Sequence, residues 1–198
     1  MANRLVLASS NTGKLAEMRT VLAGLDVELV AQSELGVSDA DETGLTFVEN
    51  ALLKARHAAR ATGLPAIGDD SGLCVDALGG APGLYSARYA GVHGDAGANI
   101  AKLLDALRNI PEERRSAHFH CSLVALRTAG DPAPLIAEGR WSGRIATAPS
   151  GHGGFGYQPV FFVPEFGATA AELDAEVKNR VGHRGRALQR MRELLQAQ

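Results

Sequence analysis

Two carboxylates stand side by side in Asp69-Asp70-Ser71-Gly72, directly after the short run Ala66 to Gly68. On an extended backbone consecutive side chains point to opposite faces. One aspartate can therefore face a ligand while the other braces a neighbouring element. A carboxylate so placed can hold a hard cation such as Mg²⁺, activate water, or do both. The same four residues would also make a plain polar turn. Upstream, Asp39, Asp41 and Glu42 form an acidic loop. With Glu49 it could complete an oxygen site around Asp70, or it could simply be solvated.

Ser9-Ser10-Asn11-Thr12-Gly13-Lys14 lies between an apolar run and a helical pattern. A helix N-terminus offers N–H groups and partial positive charge, which suit phosphate. Lys14 adds a full charge. The segment is not a P-loop, because Ala8 stands where the first glycine should be and Leu15 replaces the magnesium-binding Ser/Thr. An N-cap cluster with a solvated lysine is the plainer alternative. Gly153-Gly154-Phe155-Gly156-Tyr157-Gln158-Pro159 places two aromatics in a glycine-bounded loop, where a ring could stack on a nucleobase or merely pin the loop. From Lys178 to Arg192 the charges are all basic, with Lys178, His183 and Arg184 ahead of the last helix and Arg190 and Arg192 on its solvated face.

The elements that must position these groups are legible from pattern. Arg4 to Ala8 reads as a buried strand, Lys14 to Leu22 as a helix and Val27 to Val30 as a second strand. Thr46-Phe47-Val48-Glu49 fits a capping box, opening a helix that Gly63 stops. Ala66 to Gly68 reads as a strand ending at Asp69 to Gly72, with Leu73 to Val75 resuming beyond a bend. Ala96 to Leu107 is a helix. Ala117 to Leu126 and Leu135 to Trp141 form an antiparallel pair across Gly130-Asp131-Pro132. Val160 to Val163 is a further strand. Thr169-Ala170-Ala171-Glu172 reads as a second capping box opening a short helix, and Gly185 to Leu195 as the final helix. Mixed strands and helices with a late hairpin predict an α/β class with a mixed sheet.

The whole chain, 198 residues, fits one domain spanning 1–198, or at most two lobes sharing a core. With 20 Lys+Arg against 22 Asp+Glu, the net charge of -2 opposes a surface built for nucleic acid. No apolar run is long enough for a membrane span. Leu5 to Ala8 is too short for a secretory core, so Cys74 and Cys121 are expected to be reduced thiols in a cytoplasmic protein. Glycine, 23 of 198, exceeds the usual share of roughly 7% and gathers in loops that could be shaped around one substrate.

Phosphate donors, a carboxylate site, an aromatic platform and a cationic segment are the inventory for metal-assisted attack on a nucleoside triphosphate. The chain resembles the inosine/xanthosine triphosphate pyrophosphatase family, the house-cleaning nucleotide hydrolases. The resemblance runs through Ser9 to Lys14, Glu42 to Phe47, Glu49-Asn50-Ala51, Lys54-Ala55, Asp69 to Leu73, Gly79 to Gly83, Tyr85 to Arg88, Gly153 to Tyr157 and His183-Arg184-Gly185. It implies an elongated mixed sheet with flanking helices, two lobes around a central nucleotide-binding cleft, and a homodimer. It implies hydrolysis of ITP, dITP and XTP to monophosphate and pyrophosphate with Mg²⁺. By position, Ser9, Ser10, Asn11, Thr12, Gly13 and Lys14 would bind the triphosphate, and Asp70 would be general base and metal ligand. Ser71 would contact substrate, and Asp41 or Glu42 would supply the other metal ligand. Phe155, Gly156, Tyr157 and Gln158 would hold the base, with Lys178, His183 and Arg184 at its polar edge. The chain departs from the family pattern at Gln158, where Asp is usual, and at Gly182, where Ser is usual. The competing readings are a non-catalytic nucleotide-binding module and a single-strand nucleic-acid binder.

Overall fold

The computed structural model describes residues 3–197. Strand β1 (Asn3–Leu7) leads through α1 (Thr12–Leu22) to β2 (Val27–Ala31), which lies parallel to β1 with Leu5 opposite Leu29. Helix α2 (Phe47–Thr62) then returns the chain to β3 (Ala66–Val75), parallel to β1 on its other side. Helix α3 (Ala96–Ala106) precedes β4 (Ser116–Leu126) and β5 (Leu135–Ile145). Short strands β6 (Phe161–Val163) and β7 (Ala168–Thr169) follow, then α4 (Ala175–Val181) and α5 (His183–Gln196). The strands form one mixed sheet in the order β2-β1-β3-β4-β5-β6-β7, with β5, β6 and β7 antiparallel to one another in turn. No helix among the described residues is long and apolar enough to cross a membrane.

The chain divides into two compact units, and both cysteines are free thiols. The first unit comprises Met1–Asp70, Cys121–Gly139 and Arg184–Gln198. Its largest core joins Leu5, Leu7 and Ile67 to Leu15, Met18 and Leu22 of α1 and Leu188 and Met191 of α5. On α2, Ala51 and Ala55 pack with Val124 and Leu126 of β4, while Ala58 and Ala59 pack with Val6 and Ala66. The second unit, Ser71–His120 and Arg140–His183, has a separate core. There Phe119 meets Phe161 at 4.6 Å and stacks on His183 at 4.9 Å between ring centres.

Helix α2 starts and stops as its sequence predicts. The Thr46 hydroxyl oxygen accepts from the Glu49 amide, and Glu49 accepts from the Thr46 hydroxyl and the Leu45 amide. Gly63, at φ 69°, returns its N–H to the Ala59 carbonyl. Three expectations need correction. Strand β3 does not end at Asp69 but runs unbroken through both aspartates to Val75. Thr169 to Glu172 opens no helix. Its Glu172 carboxylate does accept from the Thr169 amide at 2.7 Å, but Thr169 is held in β7 opposite Phe162 and the residues after it make only a turn, with the Glu172 N–H on the Thr169 carbonyl. Helix α4 begins only at Ala175. The last helix begins at His183, two residues earlier than its glycine suggested.

Helix α2 lies very close to β3 because position 68 has no side chain. A Cβ on Gly68 would sit 2.2 Å from the Ala51 carbonyl oxygen and 2.9 Å from the Ala55 amide nitrogen. Both are backbone atoms, so a methyl cannot be absorbed by a side-chain rotation. Gly68→Ala is therefore expected to lower stability by at least the 1–3 kcal/mol of an overpacked core, roughly, read as a lowered urea midpoint.

Candidate active site

The alternation of β3 sorts its inward groups by face. Ile67 belongs to the core under α1 and α5, Gly68 receives α2, Asp69 turns to α1 and α5, and Asp70 turns to α2. The close approach at Gly68 brings Asn50 and Lys54, one helical turn apart, onto Asp70. The Asn50 amide donates to one Asp70 oxygen at 3.2 Å and the Lys54 ammonium to the other at 2.9 Å. Lys54 also donates to the Asp69 backbone carbonyl and pairs with Glu42. Asn50 in turn accepts from the Gly44 amide at 2.8 Å, which ties the acidic loop to the same helix.

Burial pushes the Asp70 carboxyl above its ordinary range, and the nearby negative charge of Glu42 adds to this, against the pull of Lys54 and Asn50. Burial works against the charge on Lys54, yet Asp70 and Glu42 prevail and hold it more firmly protonated than usual. Glu42 thus joins Asp70 through a shared ammonium, whereas Asp41 is exposed and makes none of these contacts. Among the described residues no three acidic, His or Cys side chains gather as a ready cation cage. Two carboxylates are, however, what Mg²⁺ commonly takes from a protein when phosphate and water oxygens supply the rest. The donor set at Asp70 and Glu42 fits that ion.

Asp69 is only 1% exposed. One of its oxygens accepts from the Lys14 ammonium at 2.8 Å, and the other faces the Arg184 guanidinium at 3.7 Å. Burial alone would raise its pKa, but Lys14 and Arg184 outweigh it and hold the carboxyl below the ordinary range. Arg184 also donates to Glu17 of α1 at 3.2 Å. It is thereby engaged by carboxylates of the first unit. The loop before α1 is likewise internally bonded. Asn11 caps the helix by accepting from the amides of Gly13 and Lys14, Ser9 accepts from the Asn11 amide, and Ser10 donates to Asp39 at 2.8 Å. The Thr12 side chain lies outside the described residues.

In the second unit the glycine-bounded loop separates its two aromatics. Phe155 is 63% exposed, while Tyr157 is buried in the core and donates its hydroxyl to the Ser86 carbonyl at 2.8 Å. Tyr157 therefore anchors the loop and leaves Phe155 as the ring that could stack on a ligand. Gly156, at φ 61°, permits the turn between them. Gln158 accepts at its side-chain oxygen from the Lys178 ammonium at 3.0 Å. Gly154, at φ 84°, leaves the space they fill, since a Cβ there would lie 2.0 Å from the Gln158 oxygen. His183 opens α5 stacked on Phe119, and Ser71 is half-buried on β3.

Sequence reasoning named Asp70, Glu42 and Lys14 and gave one of the two aspartates a bracing role, which Asp69 fills, but it gave no role to Asn50, Lys54 or Glu17. Asn50 and Lys54 share the spacing of one α2 face with Ala51 and Ala55. A polar pair on an otherwise alanine-lined buried face was the available signal.

The two aspartates have opposite consequences for stability. Asp69, with a depressed pKa, stabilises the fold above the ordinary carboxylate range, and that contribution is lost as pH falls through its folded pKa. Asp70, with a raised pKa, is protonated more readily when folded, so its charge costs stability at neutral pH and the cost disappears in acid. Asp70→Asn is expected to melt at or above the temperature of the unaltered protein at pH 7, with the difference shrinking as pH is lowered. A calorimetric series from pH 7 to pH 4 checks it.

A model of the Ham1 family matches residues 5–194. A Xanthomonas campestris pv. campestris protein named dITP/XTP pyrophosphatase is 65% identical over 193 residues, covering 98% of this chain and 97% of the relative. A Xylella fastidiosa protein of the same name is 62% identical over 192 residues, covering 97% and 96%. The solved structure of a HAM1 protein from Coxiella burnetii superposes with a TM-score of 0.95 at 49% identity, covering 99% of this chain and 100% of that one. Matched by the family model and by these relatives over nearly its whole length, the chain belongs to the Ham1 family.

Proposed function

We propose that this protein hydrolyses non-standard purine nucleoside triphosphates, ITP, dITP and XTP, to the monophosphate and pyrophosphate. The observation that carries the reading is Asp70: a buried carboxylate raised above its ordinary range, held by Lys54 and Asn50, in a chain whose relatives are named for this activity. A base works best when its pKa approaches the working pH, and burial moves Asp70 in that direction. Asp70 orients a water molecule and takes its proton. The water oxygen bonds to the α-phosphorus, the bond from that phosphorus to the α,β-bridging oxygen breaks, and pyrophosphate leaves with the electron pair. Lys14 and the loop before α1 meet the negative charge of the triphosphate. Asp70 and Glu42 are the residues that would hold a Mg²⁺ ion, which when bound would supply further charge neutralisation. Phe155 stacks on the base. A homodimer and a cytoplasmic setting belong to the same proposal and rest on the family resemblance.

Gln158 sets what the base meets. An ammonium only donates, so the Lys178 contact orients the Gln158 side chain with its oxygen toward Lys178, where that oxygen keeps a second lone pair for a ligand N–H. A carboxylate at 158 would also accept from the N1–H of hypoxanthine or xanthine and would repel the N1 lone pair of adenine.

A panel of nucleoside triphosphates with Mg²⁺, following pyrophosphate and orthophosphate separately, tests the reading. Pyrophosphate from ITP, dITP and XTP is expected, and orthophosphate alone would place attack at the γ-phosphorus and overturn it. Asp70→Asn should lower turnover by about 10²- to 10⁴-fold, the usual worth of general-base catalysis. Activity within about tenfold of the unaltered enzyme would show that another group carries the chemistry, Asp69 first among the candidates. Gln158→Asp should raise the ITP-over-ATP ratio of kcat/KM by about ten- to a hundredfold, the worth of one mispaired polar contact.

A further inference from the structure

Asp69 is the most buried charged group of the first unit that the proposed chemistry does not use. It faces away from Asp70, so it cannot share that residue's work. Its contacts are unequal. The oxygen toward Lys14 makes a short charge-assisted hydrogen bond of 2.8 Å. The oxygen toward Arg184 has no hydrogen bond among the described residues, only the ion pair at 3.7 Å. Arg184 has a second carboxylate of its own in Glu17, while Lys14 relies on Asp69.

A lysine ammonium is a point charge on a four-carbon stem with large rotamer freedom. Anchored by one of its three N–H groups, it keeps two for a ligand and loses little further entropy on binding. The Lys14 side chain stays 20% exposed, against 1% for its partner, so the lysine is not sealed off from solvent as its anchor is. The anchor is also the residue next to Asp70 on the same strand. Consecutive positions of a hydrogen-bonded strand are a rigid spacer, so the anchor fixes Lys14 relative to the catalytic carboxylate.

From this geometry we propose that Asp69 is a positioning residue for triphosphate binding: it holds Lys14 where the leaving pyrophosphate must sit and registers that cation against Asp70. The proposal rests on the pyrophosphatase reading above. It assigns Asp69 no contact with substrate or metal, and it makes the pair Lys14–Asp69 act as one unit.

The test is a double-mutant cycle on Lys14→Ala and Asp69→Asn, read with inorganic pyrophosphate as the probe and ITP as the substrate. Each single change is expected to weaken pyrophosphate binding and raise KM for ITP by about ten- to a hundredfold, the worth of one charged hydrogen bond. The double variant should be no worse than Lys14→Ala alone. The acid limb of the kcat–pH profile, governed by Asp70, should stay in place. Additive losses would show that Asp69 does not act through Lys14, and so would a lower melting temperature with unchanged pyrophosphate affinity. A collapse of kcat with unchanged affinity would put Asp69 in the chemistry and equally overturn the proposal. If Asp69→Asn alone fails to fold because Arg184 is left unbalanced, Asp69→Asn with Arg184→Met removes the second cation as well and permits the same comparison. Calorimetric pyrophosphate binding needs no turnover. An inactive but pyrophosphate-binding protein would therefore refute the hydrolase reading while the Lys14–Asp69 coupling is still measured.

Discussion

Two adjacent carboxylates inside a strand interior are the constraint around which the first unit is arranged. Moving an isolated carboxylate out of water is costly by several kcal/mol, roughly, unless a cation and hydrogen bonds meet it. Strand β3 carries two in succession, so cations must arrive on both faces of the sheet. Lys54 comes from α2 on one face, and Lys14 and Arg184 come from α1 and α5 on the other. The placement of three helices is tied to these pairs. Gly68 lets α2 close in by one side-chain thickness, and α1 and α5 share a core that also contains Leu7, Ile67 and Cys121. Cys121 records the same environment: burial, with Asp69 nearby, pushes its thiol up to about 12. It is a packing residue and not a reactive one.

The same pairs explain which parts of the architecture were readable in advance. Helix α2 announced itself through Thr46, Glu49 and Gly63, because caps are local and depend on three or four residues. The adjacency of Asp69 and Asp70 and their opposite orientation followed from strand geometry alone. What did not follow was that β3 continues through them. A run of Asp-Asp-Ser-Gly is a turn by composition, and only counter-charges from elements 15 to more than 100 residues away make it a strand. The carboxylate partners of Arg184, Glu17 and Asp69, lie equally far off in sequence and were not legible from any local pattern. Thr169 to Glu172 failed as a helix start because Thr169 is held in β7 by its pairing with Phe162, which the capping pattern alone does not report. The two aromatics of the glycine-bounded loop had equal claims by sequence. Tyr157 was separated from Phe155 by the aromatic core that the second unit builds around Phe119, Trp141 and Phe161.

That core also anchors the glycine-rich loop. A loop with four glycines among residues 151–156 would be a poor platform for reading a base if it were anchored only at its ends. Tyr157 fixes it from beneath through the Ser86 carbonyl, and Lys178 fixes Gln158 from α4. Gln158 is thereby held in one orientation, at a position where the resembling family usually carries a carboxylate. The glycines then have specific duties. Gly156 makes the turn that sends one ring inward and the next outward, and Gly154 vacates the volume that Gln158 and Lys178 occupy.

In the proposed reaction Asp69 and Asp70 divide two electrostatic tasks between them. A group that must accept a proton should not be fully stabilised as an anion, since deep stabilisation lowers its pKa and weakens it as a base. A group that must hold a cation in place should be stabilised as far as possible. Neighbours in sequence would ordinarily share one environment and one tendency. The pleat denies them that. It gives Asp69 two cations that overcome burial and gives Asp70 a lysine already divided with Glu42, so burial prevails. Opposite pKa shifts on consecutive residues are therefore a direct product of the two-residue period of a β-strand, with a helix on each side supplying a different balance of charge.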